Sequence, residues 1–301
     1  MQFAVSGVET SLLVPPLAAF AVSFLSAMGG ISGAFLLLPF QMSFLGYVNP
    51  SVSATNQFYN VVAIPSGVLR YVREGRMVWP LTIAIAAGTL PGVFLGAYLR
   101  VAWLPDPRWF KVFAGLVLLY IGGRLVRDLL ANGARNGEPR GVVAPPLSGD
   151  CTVRVEAFSM QRIAYAFQGR TCSCPTMGVF LLSLVVGVVG GTYGIGGGAI
   201  MAPFLVAFYG LPVHTIAGAT LMGTFLTSVA GVGFYSLIAP MYPGQSISPD
   251  WALGLLFGFG GMVGMYLGAR CQKRVSARKI KWLLGAVIVF TGAKYLLGSL
   301  F

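Results

Sequence analysis

Long apolar runs separated by short polar turns dominate this 301-residue chain. The runs cover 12–28, 34–47, 54–69, 79–99 and 109–125. A polar stretch from 127 to 175 follows, and the pattern restarts at 177–189, 199–209, 213–239, 251–269 and 282–300. About 20 consecutive apolar residues let a helix cross a bilayer, and several runs approach that length. The four runs beside two glycine-rich strings are only 11 to 17 residues long. The pattern predicts an all-α polytopic membrane protein in which four helices are too short to cross alone.

The two strings are MGGISGAFLLLPF, at 28–40, and GTYGIGGGAIMAPF, at 191–204. Glycine loosens a helix and proline interrupts one, so each string predicts a broken helix within an apolar region. Gly30, Ser32, Gly33, Pro39 and Phe40 fall on Gly194, Gly196, Gly197, Pro203 and Phe204 at a constant offset of 164. Ala54-Thr55 then falls on Ala219-Thr220, Gly92/Gly96 on Gly264/Gly268, and Gly115/Gly122 on Gly285/Gly292. The chain therefore divides into a first transmembrane repeat at 12–130, a cytoplasmic insertion at 131–176 and a second repeat at 177–300.

Charge orients the repeats. If each broken pair enters and leaves on one side, three further crossings invert the second repeat relative to the first. Sixteen of the 20 Lys and Arg residues then share a face, including Arg70, Arg73, Arg76 and the cluster from Arg270 to Lys281; Arg100, Arg108, Lys111 and Lys294 lie opposite. The positive-inside rule favours that split. It sets both termini outside the plasma (inner) membrane and the 127–175 segment in the cytoplasm. The same distribution assigns the net charge of +12 to cytoplasmic loops, not to nucleic acid. No basic n-region precedes the first apolar run, so that run is expected to be retained.

Broken backbone is tolerated in a membrane where it lines a cavity, and inverted repeats with broken helices are a transporter plan. The second helix of each hairpin starts just after the glycines. Its free N–H groups and positive dipole end suit a small anion. Candidate binding residues are Gly30, Ser32 and Gly33 in the first string, and Thr192, Tyr193, Gly194, Gly196, Gly197 and Gly198 in the second. Thr55, Asn56 and Gln57 in one span, and Thr220 and Thr224 in its counterpart, add hydroxyl and amide donors. Asn60, Thr227, Ser228 and Gln41 are further polar residues in apolar runs. The competing reading is that such Ser and Thr bond their own helix backbone. For Gly92/Gly96, close helix packing is the expected role. His214, the single histidine, sits in a turn before a helix and reads as a cap residue or as a pH-sensitive gate. All eight acids lie at segment ends or in loops, and no Walker A loop is present.

The paired strings, with PVHTIAGATL after the second, resemble the sulfite exporter TauE/SafE family over 12–130 and 177–300. The second string matches the family's glycine-rich signature. The first departs from it at Ser32 and Ala34, and Asn49 stands where the second half has His214. The resemblance implies a carrier for a small sulfur-containing anion: sulfite, a sulfonate such as sulfoacetate, or thiosulfate. No cofactor and no enzymatic reaction are expected. Export of a dianion from a negative interior is favourable by roughly 2.3 kcal/mol per charge per 100 mV, so the membrane potential suffices as driving force; a proton gradient stays open.

The insertion alternates at period two in TVRVEAF, which predicts a small β-hairpin. It carries Cys151, Cys172 and Cys174, with Cys271 at a membrane end on the same face. The C-x-C spacing is a weak metal match, and a cytoplasmic disulfide is disfavoured. Reduced structural thiols rank first, followed by a metal site and then sulfur chemistry. The last defines the alternative function, a membrane-embedded sulfur-handling or assembly protein. A homo-oligomer and a soluble partner at this loop both stay open.

Overall fold

The computed structural model describes residues 1–29, 33–133, 153–167, 169–271 and 277–300. Gly30, Ser32 and Cys151 lie outside the described residues, as does the side chain of His214. The protein is mainly helical, with helices α1 (Val14–Gly29), α2 (Ala34–Ser43), α3 (Ser51–Ala63), α4 (Pro65–Arg73), α5 (Trp79–Ala102) and α6 (Pro107–Gly133) before the insertion. Strands β1 (Arg154–Phe158), β2 (Arg162–Phe167) and β3 (Arg170–Pro175) form the insertion. Helices α7 (Thr176–Tyr193), α8 (Gly198–Tyr209), α9 (Val213–Ile238), α10 (Trp251–Cys271) and α11 (Ala277–Leu300) complete the chain.

Among the described residues, five stretches are long and apolar enough to cross a membrane: Trp79–Ala102, Pro107–Arg127, Thr176–Tyr193, Thr215–Met241 and Trp251–Gly268. Their outward faces stay apolar, as at Leu237 (74% exposed) and Val185 (63%). All five tryptophans are partly or largely exposed near helix ends, at Trp79, Trp103, Trp109, Trp251 and Trp282, where amphipathic rings mark a bilayer interface.

Several boundaries differ from the sequence reading, each for a local reason. The run at 54–69 is two helices, because Pro65 has no amide to continue the ladder of α3. Helix α7 continues through Gly190 and Gly191 and ends at Gly194, whose left-handed φ of 88° disfavours any L side chain. The insertion is a three-stranded antiparallel sheet in the order β1-β2-β3, with Cys172 and Cys174 on the added strand. The first ten residues fold back on themselves, Phe3 N–H bonding Val8 O at 2.9 Å, and bury Phe3 and Val8.

Glycine registers fix the helix pairing. Gly88, Gly92 and Gly96 of α5 approach the carbonyls of Phe180, Leu184 and Val188 of α7, too closely for any side chain. Gly260, Gly264 and Gly268 of α10 approach those of Pro16, Phe20 and Phe24 of α1 in the same way. Both pairs run parallel, since the residue numbers rise together. Small residues every four positions permit this backbone approach and its Cα–H···O contacts. Helices α3 and α9 run antiparallel, with Gln57 beside Gly231 and Asn60 beside Ser228. So do α6 and α11, with Gly115 beside Gly292 and Gly122 beside Ile288. Each half thus lays its first helix on the penultimate helix of the other half; α7, at 18 residues, is long enough to cross alone, unlike the shorter run read at 177–189.

Gly264→Leu is expected to cost about 1–3 kcal/mol through overpacking against Phe20 O, read as a lowered unfolding midpoint in detergent. Gly123→Leu, at a position with nothing within 4 Å, is expected to stay within about 0.5 kcal/mol of the parent.

Candidate functional site

The two helix breaks meet. Tyr193, the last residue of α7, donates its hydroxyl to Phe35 O in the first turn of α2 at 3.1 Å, and the two rings pack at 6.5 Å. Phe35 O is the carbonyl left without its helical donor, because Pro39 stands four residues on. A side chain from the second half therefore satisfies a backbone gap in the first. Helix α3 reaches both breaks from adjacent turns. Asn56 Nδ2 donates to Ala34 O at 3.2 Å, and Asn60 Nδ2 to Ile195 O at 3.0 Å.

The end of α7 is capped in trans by the same helix. Ser53 Oγ donates to Thr192 O at 3.0 Å, and Gln57 Nε2 reaches Gly191 O at 3.5 Å. Tyr235 of α9 adds its hydroxyl to Gly191 O at 3.1 Å. Ser53, Gln57 and Asn60 recur at i, i+4 and i+7, so one face of α3 carries all three. Opposite stands a hydroxyl stripe on α9, formed by Thr220, Thr224 and Thr227. These hydroxyls donate to their own helix, to Ala217 O, Thr220 O and Gly223 O at 3.2, 2.8 and 2.7 Å. Thr227 Oγ1 also accepts the amide of Gly197 at 3.3 Å. Thr192 donates to Gly96 O and Val188 O.

Helix α8 starts at Gly198 and α2 at Ala34, so each turns its N-terminal end towards its break. In the first turn of α2 the Leu36 amide bonds Gly33 O at 3.1 Å. Gly198 is wedged against Thr220 O and the Thr224 amide, and Gly194 against Ser53 O, leaving no space for side chains. Beside Gly33 stand the hydroxyls of Tyr59 and Ser23, bonded to each other at 2.7 Å.

The structure thus brings Gly33, Asn56, Gln57, Thr192, Tyr193, Gly194, Gly196, Gly197, Gly198, Thr220 and Thr224 around the two breaks. Thr55 lies elsewhere. It bonds the Tyr47 hydroxyl at 2.8 Å and accepts the Asp250 amide at 2.9 Å, in an outer cluster that includes Ser6 and Ser51. His214 falls in the first turn of α9, beside Thr215, whose hydroxyl bonds Tyr165 of β2 at 2.7 Å. The sheet therefore rests on the start of α9. Val153 N–H also ties it to Gly75 O, in the turn before α5.

Sequence reasoning missed Ser23, Ser53 and Tyr59. For Ser53 the signal was available in its helical spacing to Gln57 and Asn60. Arg100, expected on the less basic face, is fully buried. Its guanidinium donates to Leu104 O and to Val48 O, and lies 3.7 Å over the Phe110 ring. Among the described residues it makes no ion pair with a carboxylate, so carbonyl dipoles and the ring carry its compensation.

Burial, and next to it the neighbouring Cys172, push the Cys174 thiol up to about 11. Below that pH it stays protonated, which makes it a poor nucleophile and a poor metal ligand. Among the described residues no group of His, Cys, Asp and Glu is arranged to hold a metal ion. Alkylation of Cys174 by iodoacetamide is therefore expected to be slow at pH 8 and to accelerate towards pH 11, followed by mass spectrometry of the tryptic peptide. Tyr193→Phe leaves Phe35 O without its donor and is expected to cost about 1–3 kcal/mol in thermal unfolding.

Comparison with known proteins assigns the lineage. The family model for the sulfite exporter TauE/SafE matches residues 16–295, nearly the whole chain. The "Probable membrane transporter protein YunE" of Bacillus subtilis (strain 168) is 23% identical over 280 residues, covering 90% of this chain and 92% of that protein. Two proteins named "Probable membrane transporter protein", from Xylella fastidiosa strains 9a5c and Temecula1, are each 23% identical over 272 residues, covering 89% of this chain and 88% of theirs. No solved structure matches. With the family match spanning both helix breaks and the helices that hold them, the chain belongs to the sulfite exporter TauE/SafE family of membrane transporters.

Proposed function

We propose that this protein carries a small sulfur-containing anion (sulfite, a sulfonate such as sulfoacetate, or thiosulfate) across the plasma membrane. The observation that carries the reading is the meeting of the two breaks, tied by Tyr193 to Phe35 O and bridged by Asn56 and Asn60. Each break presents a half-helix N-terminus, at Ala34 and at Gly198, whose amides and positive dipole end favour an anion. The hydroxyl and amide donors of Asn56, Gln57, Thr192, Tyr193, Thr220 and Thr224 are engaged with backbone carbonyls here, so the proposed donors are the backbone amides of the half-helix ends, which carry no fixed charge to trap the ion. The candidate contacts are Gly33, Asn56, Gln57, Thr192, Tyr193, Gly194, Gly196, Gly197, Gly198, Thr220 and Thr224, together with Gly30 and Ser32. Thr55 acts from the outer cluster.

Two inverted repeats account for the packing. Antiparallel α3/α9 and α6/α11 pairs, and the exchange of α1 and α7 onto the other half's penultimate helix, are what a twofold axis in the membrane plane produces. In this arrangement the sheet faces the cytoplasm, both termini face outward, and His214 lies at the cytoplasmic end as a gate. Transport runs outward, driven by the membrane potential or a proton gradient. The alternative, sulfur chemistry on the cytoplasmic cysteines, is weakened by the protonated, buried thiol of Cys174.

Counterflow of labelled sulfite, thiosulfate, sulfate and sulfoacetate in proteoliposomes tests the reading. Uptake of at least one sulfur anion other than sulfate is expected, and it should persist when all four cysteines are serine. Gly197→Leu, which drives a side chain into Thr89 and Gly187, is expected to abolish counterflow. Flux that survives Gly197→Leu but not the cysteine replacement would reverse the assignment.

A further inference from the structure

Two amides of α3 carry a polarity that the anion reading leaves unused. Gln57 and Asn60 lie three residues apart, on neighbouring turns of one helical face, with 0% and 1% exposure. Each turns its NH2 group to a backbone carbonyl of the second break, Gly191 O and Ile195 O. Those bonds orient the amides, since only the nitrogen can donate to a carbonyl. Among the described residues, the other atom of each amide, Gln57 Oε1 and Asn60 Oδ1, meets no donor. Buried acceptors in that condition are costly, and a native structure has a reason for each.

Their surroundings point one way. Gln57 Oε1 lies against the bare backbone of Gly231 in α9, in space a side chain there would fill. Ser228, one turn earlier on α9, holds its hydroxyl 3.3 Å from Asn60 Nδ2. The last carbonyls of α7 end beside them, so the amides sit at the negative end of a half helix. Unsatisfied oxygens at a negative dipole end repel an anion and attract a cation.

We propose that Gln57 Oε1 and Asn60 Oδ1 form a binding site for an alkali-metal cation at the C-terminal end of α7, flanked by the Ser228 hydroxyl that accepts from Asn60 Nδ2. Unwound carbonyls and half-helix C-termini serve this purpose in broken-helix carriers. The ligands are neutral, and among the described residues no carboxylate hydrogen-bonds to them. A divalent ion would therefore keep a large uncompensated charge, whereas a single positive charge is matched by the anion that the same break is proposed to hold at the N-terminus of α8. The cation's role rests on that anion reading. Opposite charges on the two half-helix ends favour each other, and each raises the affinity of the other by one common factor. Flux then depends on the cation as well as on the membrane potential.

The test uses the full chain and sodium as the probe. Thermal unfolding in detergent is compared in sodium, potassium and choline chloride, and sulfite counterflow is measured in the same salts. Sodium is expected to raise the unfolding midpoint of the wild type by several degrees over choline, and to lower the half-saturating sulfite concentration several-fold. Gln57→Met, which keeps the volume and removes the amide, should lose the sodium shift. Equal wild-type midpoints in all three salts overturn the site, whether or not the variants fold. A sodium shift that survives Gln57→Met and Ser228→Ala also overturns it, because the ion then binds elsewhere. A sodium shift lost in Gln57→Met, with no sulfur-anion counterflow in any salt, upholds the cation site and sinks the anion reading. Counterflow indifferent to sodium, with no shift, does the reverse.

Discussion

A polypeptide that breaks its helices inside a bilayer must satisfy the freed backbone groups without water. This fold meets that constraint with side chains from elsewhere in the sequence. Pro39 removes the donor for Phe35 O, and Tyr193 supplies another from 158 residues away. Helix α7 stops at Gly194, and its terminal carbonyls receive Ser53, Gln57 and Tyr235. Neither break is satisfied by its own hairpin alone. Mutual dependence of this kind holds the two breaks together.

The same constraint explains why so many hydroxyls and amides in the core are engaged with backbone. Thr220, Thr224 and Thr227 bond one turn back along α9, which keeps their donors satisfied, and Thr227 Oγ1 accepts the Gly197 amide as well. The amides of α3 divide their two atoms, nitrogen to carbonyl and oxygen to the interior. A surface rich in acceptors thereby lies beside half-helix N-termini rich in donors. A broken helix offers both signs of partial charge within a few residues, a property continuous helices lack.

Anchors at the two faces fix the ends of the helices that frame the site. On one face Arg100 clamps the loop before α3 to the end of α5, and Asp250 gathers Ser6 and the start of α10. On the other, the small sheet joins Thr215 at the start of α9 to the turn before α5. Between these ends the glycine-every-fourth-residue seams of α5/α7 and α1/α10 leave almost no freedom to slide. The rigid frame sits around the polar breaks, with apolar side chains turned to lipid.

Much of the fold was legible in the sequence. Apolar runs of a given length, glycine strings with a proline, and an internal offset of 164 are local or periodic signals, and they led to a helical membrane protein with broken short helices. Residue identity also marked the seam glycines, because spacing by four is itself a packing signal. What the sequence could not decide was partnership. Whether Thr55 faces a break or an outer cluster, whether Arg100 lies in water or under Phe110, and which atom of Gln57 lacks a donor all depend on neighbours ten or more residues distant in the chain. Those contacts are set when the two halves dock, since only then does each buried polar group find, or fail to find, its complement.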